Sequence, residues 1–367
     1  MNILLVYYEP FPSGQTTHVI SIVESLNKDD YQPVVVFPFH FSNVQDKLNS
    51  LGVKNYPLKI KKYIWSLKSI LKFIEIVKTE QIDLIHVHSQ EASFMVRLIS
   101  KFILRKKVIY TPQTIDIRKK SIYFLYKWVE VQFSRLTEKI ISVSSYDQDR
   151  LIKWGVPSEK IEIIHNGLDI NKIAKQNFST NESVNNQPIV LQIGRLSEQK
   201  SPQDFIYGAE MVLKSEKNVS FWMVGDGPLY NELISMIERK GLQGFIKVFG
   251  NRDDVYNYIS KADIVTLTSK WEGMPYSLIE AMAFKKPIVS TNVNGCRELI
   301  SDGINGFLVN YNDLETWTNK VGYLLQNPDL AKKFGEEGFR LVNEKFSIKK
   351  MIFDLEKVYD EVENNNK

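Results

Sequence analysis

Short apolar runs alternate along the chain with longer stretches that carry a helical repeat. In the first such stretch Val19, Ile22 and Leu26 fall on one face of an amphipathic helix. Several runs are apolar at every position, as is typical of strands buried between two helix layers. Strands that alternate with helices form parallel sheets with helices on both faces. The sequence therefore predicts an α/β protein with strands at Ile3–Tyr8, Pro33–Phe37, Leu84–His88, Val108–Thr111, Ile140–Ser144, Ile161–Ile164, Ile189–Ile193, Val219–Val224, Ile246–Phe249, Ile264–Thr268 and Pro287–Ser290.

The alternation breaks once, in a polar segment rich in Asn and Ser that spans residues 171–187. We interpret this segment as a linker between two Rossmann-like, doubly wound domains, residues 1–170 and 188–347. The last stretch, residues 348–367, has helical spacing and is predicted to pack back on the first domain. A length of 367 residues agrees with two domains of roughly 150 residues each. Such an arrangement predicts ligand binding in an interdomain cleft that faces the carboxyl ends of the strands.

The composition excludes several classes of protein. Apolar residues make up 43% and charged residues 25% of the chain, close to the average of globular proteins. A formal net charge of +4 gives no argument for nucleic acid as a partner. Cys296, the single cysteine, cannot form an intramolecular disulfide. Because the sequence has neither a secretory signal nor an apolar run long enough to span a bilayer, we expect a cytoplasmic protein.

The most informative motif follows the predicted strand Ile264–Thr268. Gly273 and Pro275 interrupt regular structure, and a helical pattern follows them, so the segment is a turn that opens a helix. Unpaired N–H groups at a helix N-terminus favour an oxygen-rich ligand. Glu272 lies in the turn, and Glu280 lies about two helical turns further along. Taken alone, this pair also fits a structural role, as a dipole partner and a solvated helix residue.

Two cations, Arg195 and Lys200, follow the strand Ile189–Ile193 in a glycine turn before a helix that begins near Pro202. Arg offers a fork of donors and Lys a point charge, a combination that suits a diphosphate. An exposed helix start is the structural alternative, and the spacing matches neither a Walker loop nor a GxGxxG motif. In the amino half, Gly14 joins the first strand to its helix and would let the backbone approach a phosphate.

Five motifs occur in one register: NGLD at 166–169, GRLSEQK at 194–200, GDGP at 225–228, EGMPYSLIE at 272–280 and GFLV at 306–309. In this order and spacing they resemble the motifs of the family 4 retaining glycosyltransferases, whose fold is called GT-B. The resemblance covers nearly the whole chain. It implies an acceptor-binding first domain and a second domain that binds a nucleotide-sugar donor.

The resemblance also implies a role for each matching residue. Arg195 and Lys200 would hold the donor diphosphate. Glu272 would contact the donor sugar near its reacting carbon, and Glu280 would bind the ribose hydroxyls. Backbone amides at Gly273 and Met274 would add contacts to the sugar, and Gly14 would abut the phosphates. Contacts to the base are expected from the loop after Phe249, with Gly250, Asn251 and Arg252, largely through its backbone.

A retaining reaction without a metal ion or other cofactor is implied by the same resemblance. The charge that develops on the leaving diphosphate would be neutralised by Arg195 and Lys200, and fixed donors of this kind are usually the largest catalytic contribution. A phosphate oxygen of the donor would take the acceptor proton, so no side-chain base is assigned. The catalytic residues are then Arg195, Lys200 and Glu272.

The chain departs from the family pattern at three places. Gln113 stands where the family often has a histidine after the fifth strand, and its amide can hydrogen-bond a sugar but carries no charge. Ser13-Gly14 and Asn294-Gly295 replace two pairs of glycines. His88, at the carboxyl end of a strand, is with Gln113 a candidate contact to the acceptor or the sugar.

Two patterns that suggest a metal site are interpreted otherwise, and His86 is interpreted as a structural residue. His86 and His88 share one face of a strand, but the pattern supplies no third ligand. Asp147 and Asp149 spell the DxD of metal-dependent glycosyltransferases with the other common fold. Because they follow Ser144, they would lie in the first turn of a capped helix. No metal is therefore assigned.

Basic and aromatic residues are combined in two stretches of the amino half, Lys59–Lys78 and Arg118–Trp128. Such faces suit an anionic membrane, which would present a lipid-linked acceptor. A solvated lysine-rich face is the alternative. The pattern of the first stretch predicts a core face at Leu67, Ile70, Leu71, Ile74 and Val77. It leaves outside that face Lys61, Lys62, Trp65, Lys68, Lys72 and Phe73.

The sequence as a whole predicts a retaining glycosyltransferase that moves a sugar from a nucleotide diphosphate to a glycan or lipid-linked acceptor. We expect it to act in the synthesis of cell-surface polysaccharide, in the cytoplasm or on the inner face of the plasma membrane. Two alternatives remain open. A nucleotide-sugar epimerase of related fold would consume donor without an acceptor, and a two-lobed binding protein would not need the grouping of Arg195, Lys200 and Glu272.

Overall fold

A computed structural model describes residues 1–9, 14–60, 65–113, 120–174, 178 and 187–364 of the chain, apart from the side chains of residues 120–122. The chain divides into two compact units. The first unit comprises Met1–Asn166 and Ile348–Lys367, and the second comprises Gly167–Ser347. Where the chain enters and leaves the second unit the two segments are adjacent, since the Leu168 amide donates to the Phe346 carbonyl at 2.9 Å.

The first unit is a parallel sheet with helices on both faces. Its strand order is β3-β2-β1-β4-β5-β6-β7. The strands are β1 (Asn2–Tyr7), β2 (Gln32–Pro38), β3 (Lys54–Leu58), β4 (Leu84–His88), β5 (Lys107–Thr111), β6 (Lys139–Ser142) and β7 (Ile161–Ile163). The helices are α1 (Gly14–Ser25), α2 (Ser42–Ser50), α3 (Leu67–Thr79), α4 (Gln90–Ile99), α5 (Lys120–Ser134) and α6 (Ser145–Trp154), with a π-helical turn at Ser100–Leu104.

The second unit repeats this arrangement with the strand order β10-β9-β8-β11-β12-β13. Its strands are β8 (Ile189–Ile193), β9 (Ser220–Val224), β10 (Ile246–Val248), β11 (Ile264–Leu267), β12 (Ile288–Thr291) and β13 (Gly306–Val309). Its helices are α7 (Ile170–Ala174), α8 (Pro202–Val212), α9 (Tyr230–Arg239), α10 (Val255–Lys261), α11 (Tyr276–Ala283), α12 (Cys296–Leu299), α13 (Leu314–Gln326) and α14 (Pro328–Lys345). The last helix of the chain, α15 (Ile348–Asn364), belongs to the first unit.

Two apolar cores lie on opposite faces of the first sheet. Ile3 and Leu5 of β1 share a core with α1, α2 and α15. Leu4 and Val6 point the other way and share a core with α3, α4 and α6, as the alternation of side chains along a strand requires. The helix α15 therefore covers the face that α1 and α2 leave open, and its Leu355 is 2% exposed.

His86 ties the sheet to α15. Its Nδ1 lies 2.7 Å from the Tyr359 hydroxyl and its Nε2 lies 2.8 Å from the Thr111 hydroxyl, with all three groups buried. Because both ring nitrogens have hydrogen-bond partners, the ring is a satisfied core residue. The structural interpretation of His86 is confirmed.

An ion pair inside the first unit joins α4 to α5. Arg97 Nη1 donates to Glu130 Oε1 at 2.9 Å, and the two side chains are only 2% and 3% exposed. The guanidinium also stacks over the ring of Tyr110, 4.3 Å from its centroid. Removing one partner of such a pair leaves a buried charge uncompensated, so the pair holds α5 against the sheet.

The predicted core face of α3 is wrong at two of its five positions, since Ile70, Ile74 and Val77 do pack in the core. Leu67 and Leu71 are 70% and 57% exposed, whereas Phe73 and Trp65 are buried. The helix begins after the Ser66 cap, and Trp65 packs edge-on against Phe73 with ring centroids 5.4 Å apart. Burying two aromatic rings removes more apolar surface from water than burying two leucines. The helix therefore turns Phe73 toward the core and leaves Leu67 and Leu71 in solvent. Lys61 and Lys62 lie outside the described residues.

The two strands that the pattern missed, β3 and β13, both lie at the edge of a sheet. An edge strand has only one paired neighbour and tolerates Pro or Gly, so β3 with its Pro57 and β13 with its Gly306 lack a continuous apolar run. The predicted linker begins inside α7. The rest of it, except residue 178 and residue 187, lies outside the described residues.

Candidate functional site

The carboxyl edge of the second sheet carries three of the residues predicted to bind the donor. Strand order in this sheet reverses between β8 and β11, since β9 and β10 lie on one side and β12 and β13 on the other. Ligands of open α/β sheets bind at such a switch point. The loops that leave β8 and β11 carry Arg195, Lys200 and Glu272.

The loop after β8 is held by backbone contacts. Gly194 has a φ of 147°, a conformation that L side chains rarely adopt. A Cβ on Gly225 would lie 2.0 Å from the Gly194 carbonyl oxygen, and one on Gly227 would lie 2.4 Å from the Leu196 carbonyl oxygen. The GDGP turn is thus glycine-rich because its backbone packs against the segment that carries Arg195. The Arg195 side chain is half-buried.

Lys200 and Glu272 form an ion pair, with Lys200 Nζ 2.7 Å from Glu272 Oε1. Glu272 is 5% exposed, and Ser269 Oγ donates to the same oxygen at 2.5 Å. The backbone beneath the pair is also held, because Thr268 Oγ1 donates to the carbonyls of Lys200 and Ser201 at 3.0 and 2.9 Å. The structure therefore unites a cation and a carboxylate that the sequence separates by 72 positions.

The turn that contains Gly273 and Met274 rests on Gly295. A Cβ at Gly295 would lie 1.5 Å from the Gly273 carbonyl oxygen, so no other residue fits without moving the turn. Met274 is buried. Of the two family glycines that Asn294-Gly295 replaces, the chain thus keeps the one at which the backbone of Gly273 comes too close for a side chain.

Glu280 lies on α11 and is half-buried. Burial raises the pKa of its carboxyl to about 8, and a hydrogen bond with Tyr256 offsets only part of that rise. At neutral pH the group is mostly protonated in the free protein, unlike an ordinary surface glutamate.

Asn251 and Arg252 lie in the loop after β10, and both are exposed. Arg252 donates to Asp254 through Nε at 2.8 Å and through Nη2 at 3.1 Å. Its side chain thus folds back on its own loop. Gly14, the remaining donor candidate, is the first residue of α1 in the first unit.

The acceptor candidates lie at the carboxyl edge of the first sheet. His88 is the last residue of β4 and is paired in register with Tyr7 of β1 and Thr111 of β5. It is fully buried, and neither of its ring nitrogens has a hydrogen-bond partner among the described residues. Burial, together with His86 and His18, holds its pKa well below the usual range. Gln113 is 9% exposed, has a φ of 65°, and its Nε2 likewise has no partner in the described part of the chain.

The remaining sequence candidates have structural explanations. Ser144 caps α6 and accepts from the amide of Asp147, which lies in the first helical turn. Within the described part of the chain, no group of three or more His, Cys, Asp or Glu side chains is arranged to hold a metal ion. Ser269 was not predicted, although a serine three positions before a turn glutamate is a local signal that could have identified it.

The fold and this site define a class of protein. Two units with parallel, doubly wound sheets, one of which sets a cation and a carboxylate at its switch point, are the architecture of a GT-B glycosyltransferase. Among solved structures the chain is similar to Anabaena HepE in complex with UDP-glucose, with a TM-score of 0.84 and 21% identity over 98% of this chain and 100% of that one. The predicted fold class is confirmed.

Family models identify the group more closely. The model described as Glycosyltransferase Family 4 matches residues 12–172, and the one described as Glycosyl transferases group 1 matches residues 174–341. The chain belongs to the glycosyltransferases that carry this pair of domains. The predicted family and the predicted glycosyltransferase activity are confirmed.

Two curated relatives span most of their own length in the match. The UDP-Gal:alpha-D-GlcNAc-diphosphoundecaprenol alpha-1,3-galactosyltransferase of Escherichia coli is 27% identical over 80% of each chain. An uncharacterized glycosyltransferase of Methanocaldococcus jannaschii is 28% identical over 99% of each chain. No described helix is both long enough and apolar enough to cross a membrane.

Proposed function

We propose that this glycosyltransferase moves a sugar from a UDP-sugar to a glycan or lipid-linked acceptor, with retention of anomeric configuration and without a metal ion. Its setting is the synthesis of cell-surface polysaccharide at the inner face of the plasma membrane. The observation that carries the proposal is the Lys200–Glu272 pair at the switch point of the second sheet. The E. coli relative, named for UDP-Gal, and the HepE complex with UDP-glucose support a UDP-sugar donor.

The chemistry needs positive charge where the diphosphate leaves. Arg195 and Lys200 lie in one loop after β8 and would supply a guanidinium and an ammonium group to that charge. Donors fixed before the reaction need no reorganisation when charge develops, so they stabilise the transition state strongly. These two side chains take the part that a divalent ion has in other transferases.

We place the acceptor at the carboxyl edge of the first sheet, because His88 and Gln113 have polar atoms there without a hydrogen-bond partner among the described residues. Buried polar groups are almost always hydrogen-bonded, so unpaired ones point to a ligand or water. An uncharged imidazole can both donate to and accept from a hydroxyl, and the Gln113 amide can donate to one. Strained backbone at Gln113 is also typical of binding sites.

Arg195→Ala and Lys200→Ala are each expected to weaken UDP binding by about tenfold or more, because each removes a charge-assisted hydrogen bond to phosphate. Titration calorimetry with UDP, GDP, ADP and CDP measures this and identifies the base. Arg239→Ala, on the exposed end of α9, is the matched control and leaves affinity unchanged. Wild-type affinity in both site variants contradicts the diphosphate assignment, and turnover that EDTA abolishes and only Mn²⁺ restores contradicts metal independence.

The raised pKa of Glu280 predicts a pH-dependent donor affinity. A carboxylate that accepts two ribose hydroxyls must be ionised, so binding releases the proton that the free protein holds below about pH 8. The affinity for UDP-glucose should therefore rise by about tenfold from pH 7 to pH 9. UDP-glucose is the probe because its diphosphate does not titrate in this range.

Glu280→Gln is the control for this pH dependence, since the amide does not ionise. Fluorescence titration of both proteins across the pH range should show a slope only in the wild type. Equal slopes in the two proteins would assign the dependence to another group.

The membrane proposal rests on one face of the first unit. Helices α3, α5 and α6 and the π-helical turn lie on the same side of the sheet. They expose the apolar side chains Leu67, Leu71, Phe102, Ile103, Phe124, Leu125, Trp128 and Ile152. Exposed basic residues beside them are Lys68, Lys72, Lys101, Arg105 and Lys153. An exposed apolar surface flanked by basic side chains is suited to binding an anionic bilayer. Arg118 and Lys119 lie outside the described residues.

Trp128→Asp is expected to lower binding to vesicles that contain phosphatidylglycerol by about tenfold, because it replaces an exposed aromatic anchor with an acid. Phe353→Asp is the matched control, since Phe353 is 68% exposed on α15, on the opposite face of the sheet. Co-sedimentation at low and high salt measures both. Equal binding by wild type and Trp128→Asp, or equal losses in the two variants, contradicts the assignment of this face.

A further inference from the structure

The two carboxylate oxygens of Glu272 have different surroundings. Oε1 accepts from Ser269 Oγ at 2.5 Å and from Lys200 Nζ at 2.7 Å. No described side chain donates to Oε2. Ser269 is fully buried and Glu272 is 5% exposed, so both hydrogen bonds are shielded from water and are stronger than surface ones. One oxygen is therefore used to hold the side chain, and the other is left for a ligand.

Ser269 is itself fixed from two directions. Its carbonyl oxygen accepts from Thr291 Oγ1, at the end of β12, at 2.7 Å. The next amide, that of Lys270, donates to the Gln199 carbonyl at 2.8 Å, which ties the segment to the loop of Lys200. A hydroxyl on a backbone held in this way has few orientations, so it can set the direction of the carboxylate to which it donates.

We propose that Ser269 is a positioning residue that orients Glu272, so that Oε2 is presented to the donor sugar; this inference rests on the proposed function of the site. Lys200 cannot do this alone, because an ammonium is a flexible point charge with three donors. Once a diphosphate is bound, Lys200 divides its donors between phosphate and Oε1. The Ser269 hydroxyl then keeps Glu272 in place while the cation is shared.

The role requires that Ser269 act through Glu272 and not through the general stability of the loop. Ser269→Ala should lower kcat by about ten- to hundredfold, because a small misplacement of a reacting group costs this much. The affinity for UDP, which lacks the sugar, should stay within about twofold. In the Glu272→Gln background, Ser269→Ala should cause no further loss, since residues that act as a unit are non-additive.

The experiment measures UDP release from UDP-glucose and UDP-galactose by wild type, Ser269→Ala, Glu272→Gln and the double variant. Ser290→Ala is the matched control, a fully buried serine on β12 that donates to the Thr291 carbonyl instead. Melting temperatures are recorded for all five proteins. The proposal predicts a lower kcat in Ser269→Ala and a wild-type kcat in Ser290→Ala. It also predicts equal kcat values in Glu272→Gln and the double variant.

Two outcomes overturn the inference without touching the proposed function. Wild-type kcat in Ser269→Ala, beside an inactive Glu272→Gln, shows that Glu272 needs no positioning by this serine. Losses that multiply in the double variant show that Ser269 acts elsewhere. Full activity of Glu272→Gln, by contrast, removes Glu272 from the reaction and contradicts the proposed site together with the inference.

Discussion

Replacing Glu272 by Gln is expected to lower turnover by about 10²–10³-fold, while UDP binds as it does to the wild type. The amide keeps the shape of the side chain and can still accept from Lys200 and Ser269, so the loop stays folded. It loses the negative charge that, under the proposed function, faces the reacting carbon of the donor sugar. UDP lacks the transferred sugar, and its affinity therefore does not report on this contact.

Steady-state rates and calorimetric UDP affinities measured together test this prediction. Glu238→Gln, an exposed glutamate on α9, is the control for removing one negative charge from the second unit and should behave as wild type. A variant whose UDP affinity and kcat/KM fall equally would assign Glu272 to uniform binding and not to the transition state. Unchanged turnover would remove it from the reaction.

The strands in the middle of both sheets could be predicted because their environment is uniform. β1 and β9 are buried at every position after the first and are apolar there, so a run of apolar residues is enough to identify each of them. The edge strands β3 and β13 have one paired neighbour each and no such run. The helical repeat located α3 and part of its core face. It does not distinguish Leu67 from Phe73, because the burial of Phe73 comes from its packing against Trp65.

The candidate site was predicted in its parts but not in its connections. Arg195, Lys200 and Glu272 each follow a strand in a glycine-containing turn, which is visible in the sequence. The contact between Lys200 and Glu272 depends on the strand order, because β8 and β11 are neighbours only after the chain has passed through β9 and β10. The hydrogen bond from the Ser269 hydroxyl to Glu272 likewise depends on side-chain directions that residue types alone do not specify.

The largest stability effect is expected in α15, which completes the core of the first unit from the end of the chain. Leu355→Ala should destabilise that unit by about 2–5 kcal/mol, since the side chain is 2% exposed and its removal leaves a cavity among β1, α1 and α15. Phe353→Ala, two positions away and 68% exposed, should change stability by less than about 0.5 kcal/mol.

Hydrogen exchange on the full chain separates the two units, which a single melting curve does not. In Leu355→Ala the slowest amides of β1 and β4 should exchange at least about thirtyfold faster, because each 1.4 kcal/mol is a factor of about ten in the opening equilibrium. Amides of β8 and β11 should keep their wild-type rates, since α15 belongs to the first unit. Equal acceleration in both sheets would mean that the units open together, and no acceleration in β1 would mean that α15 does not support this core.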